Sequence, residues 1–414
     1  MPSSSSTILT EPNATSTKNT TLILVVGMLI SGVCNTIMNK YQDMQCVENC
    51  NDSDPANRRY FEQPVWQTLN MFVGEAAVWI VYCYQVWERR RRHQQNLTIA
   101  SVPPSSVNQL DAAAVVDDEI AKHADDPRQP LTGLRACLLW IPTLCDMTAT
   151  TIMSVGLLFT SASIYQMLRG SIVIFTGIAS YLFLQRRLKL YEWVSLVMVV
   201  SGVAVVGLSS VLYPQNKPST TNGEGATFDA ESLLGVALVL GAQLFTATQF
   251  VVEEKIMSHY KVTPLKAVGL EGTFGLVSVL VGMPILHVLF SRQNIYFDVV
   301  KGFHDFFDNP AIWQIGIAIA TSIAFFNWFG LSITTSISAT ARSTIDTSRT
   351  LFIWIVSLCL GWERFSWIQV VGFAIMALGT FYFNGVIRYP FAKDSIPEER
   401  TPLLRNDDNA QYTS

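Results

Sequence analysis

The chain has 414 residues, of which 50% are hydrophobic, only 14% are charged, and the net charge is −4. A soluble domain carries roughly 25% charged residues, so an ordinary soluble enzyme of this size is excluded. So are a basic nucleic-acid binder, a disulfide scaffold built on seven scattered cysteines and a wholly disordered chain.

A bilayer core takes about 20 apolar residues as a helix. In chain order the apolar stretches of that length are Thr21–Asn39, Val65–Trp87, Ala136–Leu158, Ile164–Leu184 and Trp193–Leu212. Then follow Leu233–Val252, Ala267–Leu289, Ile312–Leu331, Arg342–Leu360 and Trp367–Ile387. None alternates with a period of two, as barrel strands do. The sequence therefore predicts an all-α polytopic membrane protein with ten transmembrane helices. The first stretch follows a Ser/Thr-rich segment whose basic residue is Lys18, and no small-residue cleavage site follows it. It is read as a helix, not a signal peptide.

With both termini in the cytosol, most of the 28 Lys and Arg fall in cytosolic connections and tails. The densest cluster, Arg89–Arg92, follows the second span. This orientation places the Asn51-Asp52-Ser53 sequon in the first luminal loop, open to glycosylation. It keeps Asn13, Asn19 and Asn96 in the cytosol. Cys46 and Cys50 share that loop, at a spacing that suits an oxidised pair or nothing at all.

The domain order expected is a cytosolic tail (1–20), a first five-helix half (21–212), a luminal linker (213–232), a second half (233–387) and a cytosolic tail (388–414). Residues 93–130, with Pro103-Pro104 and Asp117-Asp118-Glu119, read as a disordered cytosolic insertion. Residues 161–202 align without a gap on 338–379. The match sets Ser161-Ala162 on Ser338-Ala339, Phe175 on Phe352, Arg187 on Arg364 and Gly202 on Gly379. Halves of five spans enter the membrane from opposite sides, so this reads as two inverted five-helix repeats, with a site at their interface.

Charges inside spans cost about 2.5–3.5 kcal/mol on insertion scales and persist where they pair or line a wet cavity. They are Lys40, Glu75, Asp146, Arg169, Glu271, Arg342, Asp346 and Arg349. The repeat sets Arg169 opposite Asp346. Arg169 is read as the anchor for an anionic substrate group, with Asp346 as its partner in the empty state; a plain helix lock is the alternative. Glu75 and Glu271 are candidates for proton coupling, or for interhelical bonds. Asp146, close to Pro142, is a cavity candidate. Arg342, Asp346 and Arg349 share one helix face at i, i+4, i+7, as a substrate ladder or a self-neutralising stripe. Lys40 reads as snorkelling to the interface. Asn35, Asn39, Gln243 and Asn327 are neutral polar candidates. No metal-ligand spacing or catalytic motif occurs, so neither a metal, a cofactor nor an enzyme is expected.

Several segments together resemble a known family. They are Met71-Phe72-Val73-Gly74-Glu75, Leu144-Cys145-Asp146-Met147-Thr148, Thr160-Ser161-Ala162-Ser163 and Gln166-Met167-Leu168-Arg169-Gly170. To these add Val252-Glu253-Glu254-Lys255, Ala267-Val268-Gly269, Glu271-Gly272 and Ala324-Phe325-Phe326-Asn327. Over about residues 21–390 the chain resembles the drug/metabolite transporter superfamily, within solute carrier family 35 and its F subgroup. The resemblance implies ten helices in two inverted repeats, and a carrier.

The expected function is thus secondary active transport, by alternating access, of a small anionic or zwitterionic metabolite across an endomembrane, proton-coupled or by exchange. A non-transporting membrane scaffold is the alternative. Partners expected are the membrane, a small-molecule substrate, a second copy as a homodimer, and a clathrin adaptor. The adaptor would read Glu399, Leu403 and Leu404, which match an acidic dileucine signal and point to the lysosomal membrane.

Overall fold

The computed structural model describes residues 14–52, 54, 57–61, 63–100, 128–159, 168–185, 189–212, 230–290, 298–362, 365–383 and 387. The described residues are helical almost throughout. The helices are α1 (Ala14–Asp43), α2 (Pro64–Ala100), α3 (Trp140–Phe159), α4 (Ile172–Phe183), α5 (Leu190–Leu212) and α6 (Ala230–His259). They continue with α7 (Pro264–Phe290), α8 (Val299–Phe307), α9 (Pro310–Ser336), α10 (Ala339–Cys359) and α11 (Trp367–Phe383). A 3₁₀ turn, Gly133–Leu139, leads into α3. Among the described residues five segments are long and apolar enough to cross a membrane: Asn19–Asp43, Gly133–Met153, Leu234–His259, Pro264–Leu289 and Pro310–Ser336. This is an all-α polytopic membrane protein. α10 is less apolar because Arg342, Asp346 and Arg349 interrupt it.

Local chemistry sets several ends. Pro64, Pro264 and Pro310 open their helices at positions where a missing N–H costs nothing. Asn309 caps α9, accepting from Ala311 N at 3.0 Å. α10 ends at Gly361, whose φ of 70° lets the chain reverse and bond Trp362 N to Ser357 O at 2.9 Å.

The helices pack in pairs: α5 with α11, α3 with α6, α2 with α7, and α1 with α9. α4 lies on α6 and α10, and α10 lies on α1. Glycines permit the closest approaches, as is usual between membrane helices. A Cβ on Gly202 would meet the Gly372 carbonyl at 2.6 Å. One on Gly379 would meet the Ser195 carbonyl at 3.0 Å. The two glycines matched by the internal alignment thus sit in one crossing, α5 on α11.

Three features differ from the sequence reading. The helix of the second span runs on to Ala100, so the first residues of the expected disordered insertion are helical. Good helix formers continue past Arg92, and Pro103 is the first breaker. The insertion's far end is docked: β3 (Gln129–Pro130) pairs in parallel with β4 (Tyr260–Lys261), and Arg128 donates to Met257 O at 2.8 Å. Residues 101–127 lie outside the described residues. The sixth helix continues past Val252 to His259, which carries Glu253 and Glu254 inside the bundle.

A cap that the sequence reading did not foresee closes the end of the bundle formed by the 43–63 connection. Cys46 and Cys50 form a disulfide. β1 (Cys46–Glu48) pairs antiparallel with β2 (Arg59–Tyr60). Arg59 grips Asp305 of α8 through two bonds of 2.8 and 2.6 Å and reaches Glu48 at 2.7 Å. Lys301 adds a second cation, 3.3 Å from Glu48. These two cations hold the Glu48 carboxyl below its ordinary value, and Asp305 pushes the Arg59 guanidinium further up. Trp66 anchors the apolar face of α8 among Phe303, Phe306 and Phe307.

Candidate functional site

The centre is built around Glu75. On its own helix the neighbouring Gly74 lets α2 press against the Ala320 backbone of α9; on α7, Gly272 presses against the backbone of Glu75 and Ala76. No residue with a side chain fits at either crossing without moving a helix. Glu75 is buried and accepts a bond from Asn327 Nδ2 of α9 at 2.5 Å. A buried carboxylate with a donor this close is fixed in direction.

Asp146 of α3, Glu271 of α7 and Gln249 of α6 complete a small polar cavity with Glu75, Thr143, Asn327 and Phe72. Its volume is about 10 Å³, counted as the space that the centre of a water molecule can reach. That is room for about one water. Glu75, Gln249 and Glu271 are buried, and Asp146 is half-buried.

One helical turn along α6 from Gln249 stands Glu253, fully buried. It accepts from Gln249 Nε2 at 3.0 Å and from Arg342 Nη1 of α10. Arg342, only 1% exposed, lies over the Phe250 ring at 4.1 Å. Its Nε would stand 2.7 Å from a Cβ on Gly330. Arg349 is housed alike: its side chain fills the space beside Gly32, and it lies over Phe326 at 4.9 Å. Each guanidinium of α10 thus rests between a glycine and a phenylalanine, a setting that suits its flat, weakly hydrated form.

Glu254, next along α6, accepts from Ala339 N at 2.7 Å, at the start of α10. A carboxylate there satisfies an orphan backbone donor and opposes the positive end of the helix. Ser338 caps the same turn, accepting from Ala341 N at 3.1 Å.

The structure therefore brings together Glu75, Asp146, Glu271, Asn327 and Arg342, and adds Glu253, Gln249 and Thr143. The sequence reading had ended its sixth span one residue before Glu253. The recoverable signal was Gln249 and Glu253 at i, i+4 in an unbroken helical run. Asp346 pairs with Arg349 of its own helix at 3.2 Å. Arg169 is half-buried and precedes α4, where Gly170 meets Val203 of α5. Asn35 and Asn39 bond each other along α1, and Gln243 bonds Met153 Sδ at 3.2 Å. Lys40 is exposed, 4.8 Å over the Trp362 ring. Asn51 is exposed in the turn after the disulfide. Glu399, Leu403 and Leu404 lie outside the described residues.

Carboxylates on three helices around a small polar cavity inside a helical membrane bundle are the kind of centre found in carriers. Comparison with known proteins agrees. The nucleotide-sugar transporter family model matches residues 134–339. An uncharacterised protein of Schizosaccharomyces pombe is 35% identical over 376 residues, 90% of this chain and 100% of its own length. Solute carrier family 35 member F6 of Homo sapiens is 35% identical over 406 residues, 92% of this chain and 97% of that protein. A crystal structure 10% identical superposes with a TM-score of 0.53, covering 89% of this chain and 98% of the other. At that identity the likeness speaks for the fold alone. On the likeness to the full-length solute carrier, this chain, a membrane transporter and not an enzyme, belongs to solute carrier family 35, with member F6 among its near relatives.

Proposed function

We propose that the chain is a secondary active carrier that moves a small metabolite across an endomembrane by alternating access. Ten spanning helices form two inverted five-helix halves, and the carboxylate cavity is the coupling centre. The observation that carries this reading is the convergence of Glu75, Asp146, Gln249 and Glu271 from α2, α3, α6 and α7 on one buried space. The helix pairing supports the two halves. Exchanging the first five spans with the last five returns α5–α11 and α2–α7 to themselves. It turns α3–α6 into α9–α1, and α4–α6 into α10–α1. With about 10 Å³ of space the centre is shut, as a carrier is between its two open states. The anionic or zwitterionic character of the cargo rests on Arg169 alone.

A scaffold would also carry the closed pairs Arg342–Glu253 and Arg349–Asp346. It has no use for Glu75, Asp146 and Glu271, which no ion pair joins to a cation among the described residues. The test is flux across proteoliposomes bearing the purified full chain, preloaded with a metabolite extract and followed by mass spectrometry. Glu75→Gln should abolish the exchange of at least one metabolite while leaving the melting profile intact. Unchanged exchange by a folded Glu75→Gln protein refutes the assignment.

Lysosomal residence, both termini in the cytosol, a glycan on Asn51, homodimerisation and adaptor binding through Glu399, Leu403 and Leu404 belong to the same proposal. The orientation rests on the charge distribution, the glycan on the sequon, and the residence and adaptor binding on the tail motif.

A further inference from the structure

The carrier reading leaves its coupling ion unnamed, and the inference that follows rests on that reading. Two oxygens at the central cavity have no hydrogen-bond partner: Oε1 of Glu271 and Oε1 of Gln249. The residues are only 7% and 8% exposed. An unsatisfied polar atom at that depth is costly, so something that attracts lone pairs belongs beside them.

The other lining groups present oxygen too. Gln249 spends its amide NH₂ on the Glu253 carboxylate at 3.0 Å, and a carboxylate only accepts, so the amide oxygen is the end left over. Asn327 likewise turns its NH₂ to Glu75. The hydroxyl hydrogen of Thr143 goes to Leu139 O at 2.8 Å, leaving its lone pairs. Glu75, Asp146 and Glu271 add carboxylates. Each of these groups thus keeps an oxygen lone pair to offer the cavity. Among the described residues, Glu75, Asp146, Glu253 and Glu271 stand in one electrostatic group with Arg342, four acids against one cation.

A water molecule would supply donors and no charge. A bare cation small enough for a space that holds one water supplies both, and oxygen ligands suit a hard cation such as sodium. Among the described residues no three His, Cys, Asp or Glu side chains are grouped as a metal cage, so the ion would lie among the neutral oxygens of Thr143, Gln249 and Asn327 with fewer than three carboxylates. We propose that the cavity between Glu75, Thr143, Asp146, Gln249, Glu271 and Asn327 is a sodium site, and that sodium is the coupling ion of the carrier.

The purified full chain in detergent is melted in choline, potassium and sodium chloride at equal ionic strength and pH. Sodium should raise the midpoint saturably, by roughly 3 °C or more at high excess over its dissociation constant, while choline leaves it flat. Glu271→Gln keeps the shape, removes one charge and should lose the sodium response. Gln249→Met removes the neutral ligand and should weaken it at least tenfold in apparent affinity. A wild-type midpoint indifferent to sodium overturns the site. So does a Glu271→Gln protein that still responds, or a midpoint moved by protons alone. Radioactive sodium flux into proteoliposomes separates the two readings. A sodium-dependent midpoint without sodium flux keeps the site and overturns the carrier. Metabolite exchange blind to sodium keeps the carrier and overturns sodium as its coupling ion.

Discussion

Replacing Arg342 by Met probes the joint between α6 and α10. Arg342 is 1% exposed and Glu253 is fully buried, and each is the other's ion-pair partner. Removing one member strands the other in a medium of low dielectric, at a cost of about 3–5 kcal/mol. Here the stranded group is a carboxylate already grouped with Glu75, Asp146 and Glu271, so the cost belongs at the upper end of that range. A factor of about 10³ in the folded-to-unfolded ratio follows. Glu253→Leu should cost a similar amount, because it strands a guanidinium over Phe250. Joining the two changes leaves an apolar contact of comparable volume, which restores much of the loss. The assay is a double-mutant cycle by thermal unfolding of the purified chain in detergent. The coupling between the two sites should exceed about 1.5 kcal/mol in the restoring direction. Strictly additive single changes, or an Arg342→Met protein as stable as the parent, would refute the reasoning.

Gly272→Ala forces a Cβ onto the α2 backbone at Glu75 and should cost about 1–3 kcal/mol. Gly241→Ala, in the same membrane bundle but with nothing within 4 Å, should be neutral or slightly stabilising, and the difference in midpoint between the two checks the crossing. Glu48 titrates lower in the folded chain than the ordinary 4.5, so its support of the cap is complete above that value and is lost as the pH falls through the lowered one. The protection of the amides in residues 44–52, taken relative to their intrinsic exchange rate at each pH, should therefore be the same at about pH 5 as at pH 7, and should fall only in stronger acid. Asn51→Gln should abolish a glycosidase-sensitive mobility shift, whereas a shift that depends on Asn13 would invert the orientation. Leu403→Ala with Leu404→Ala should move the protein toward the cell surface in surface biotinylation.

The helices were legible because a span needs only length and apolarity, and Glu75, Asp146, Glu271 and Asn327 were legible because charge or amide in such a span is costly. Glu253 and Glu254 were missed for the same reason turned round. Two adjacent acids read as the start of a loop, and only the partners supplied by α10, at a distance of more than eighty residues, make their burial tolerable. The Arg169–Asp346 pairing rests on repeat symmetry, which sees equivalent positions; that Asp346 also has an arginine within reach on its own helix comes from the structure. The α8 cap was invisible because its nine residues are too short to span a membrane and its hold on the bundle comes from Arg59 in another connection and Trp66 at the start of α2.

The grip of Glu253 and Glu254 on the first turn of α10 has a mechanical side. One acid holds a side chain and its neighbour holds the backbone, so two adjacent residues of α6 fasten α10 at two points. A joint pinned at two points transmits torque, where one pinned at a single point only swivels. In the alternating-access cycle proposed above, α6 and α10 would turn as one lever. The effort that tilts α6 therefore reaches Arg349, further along the same rod, without any side chain between the two having to change its rotamer.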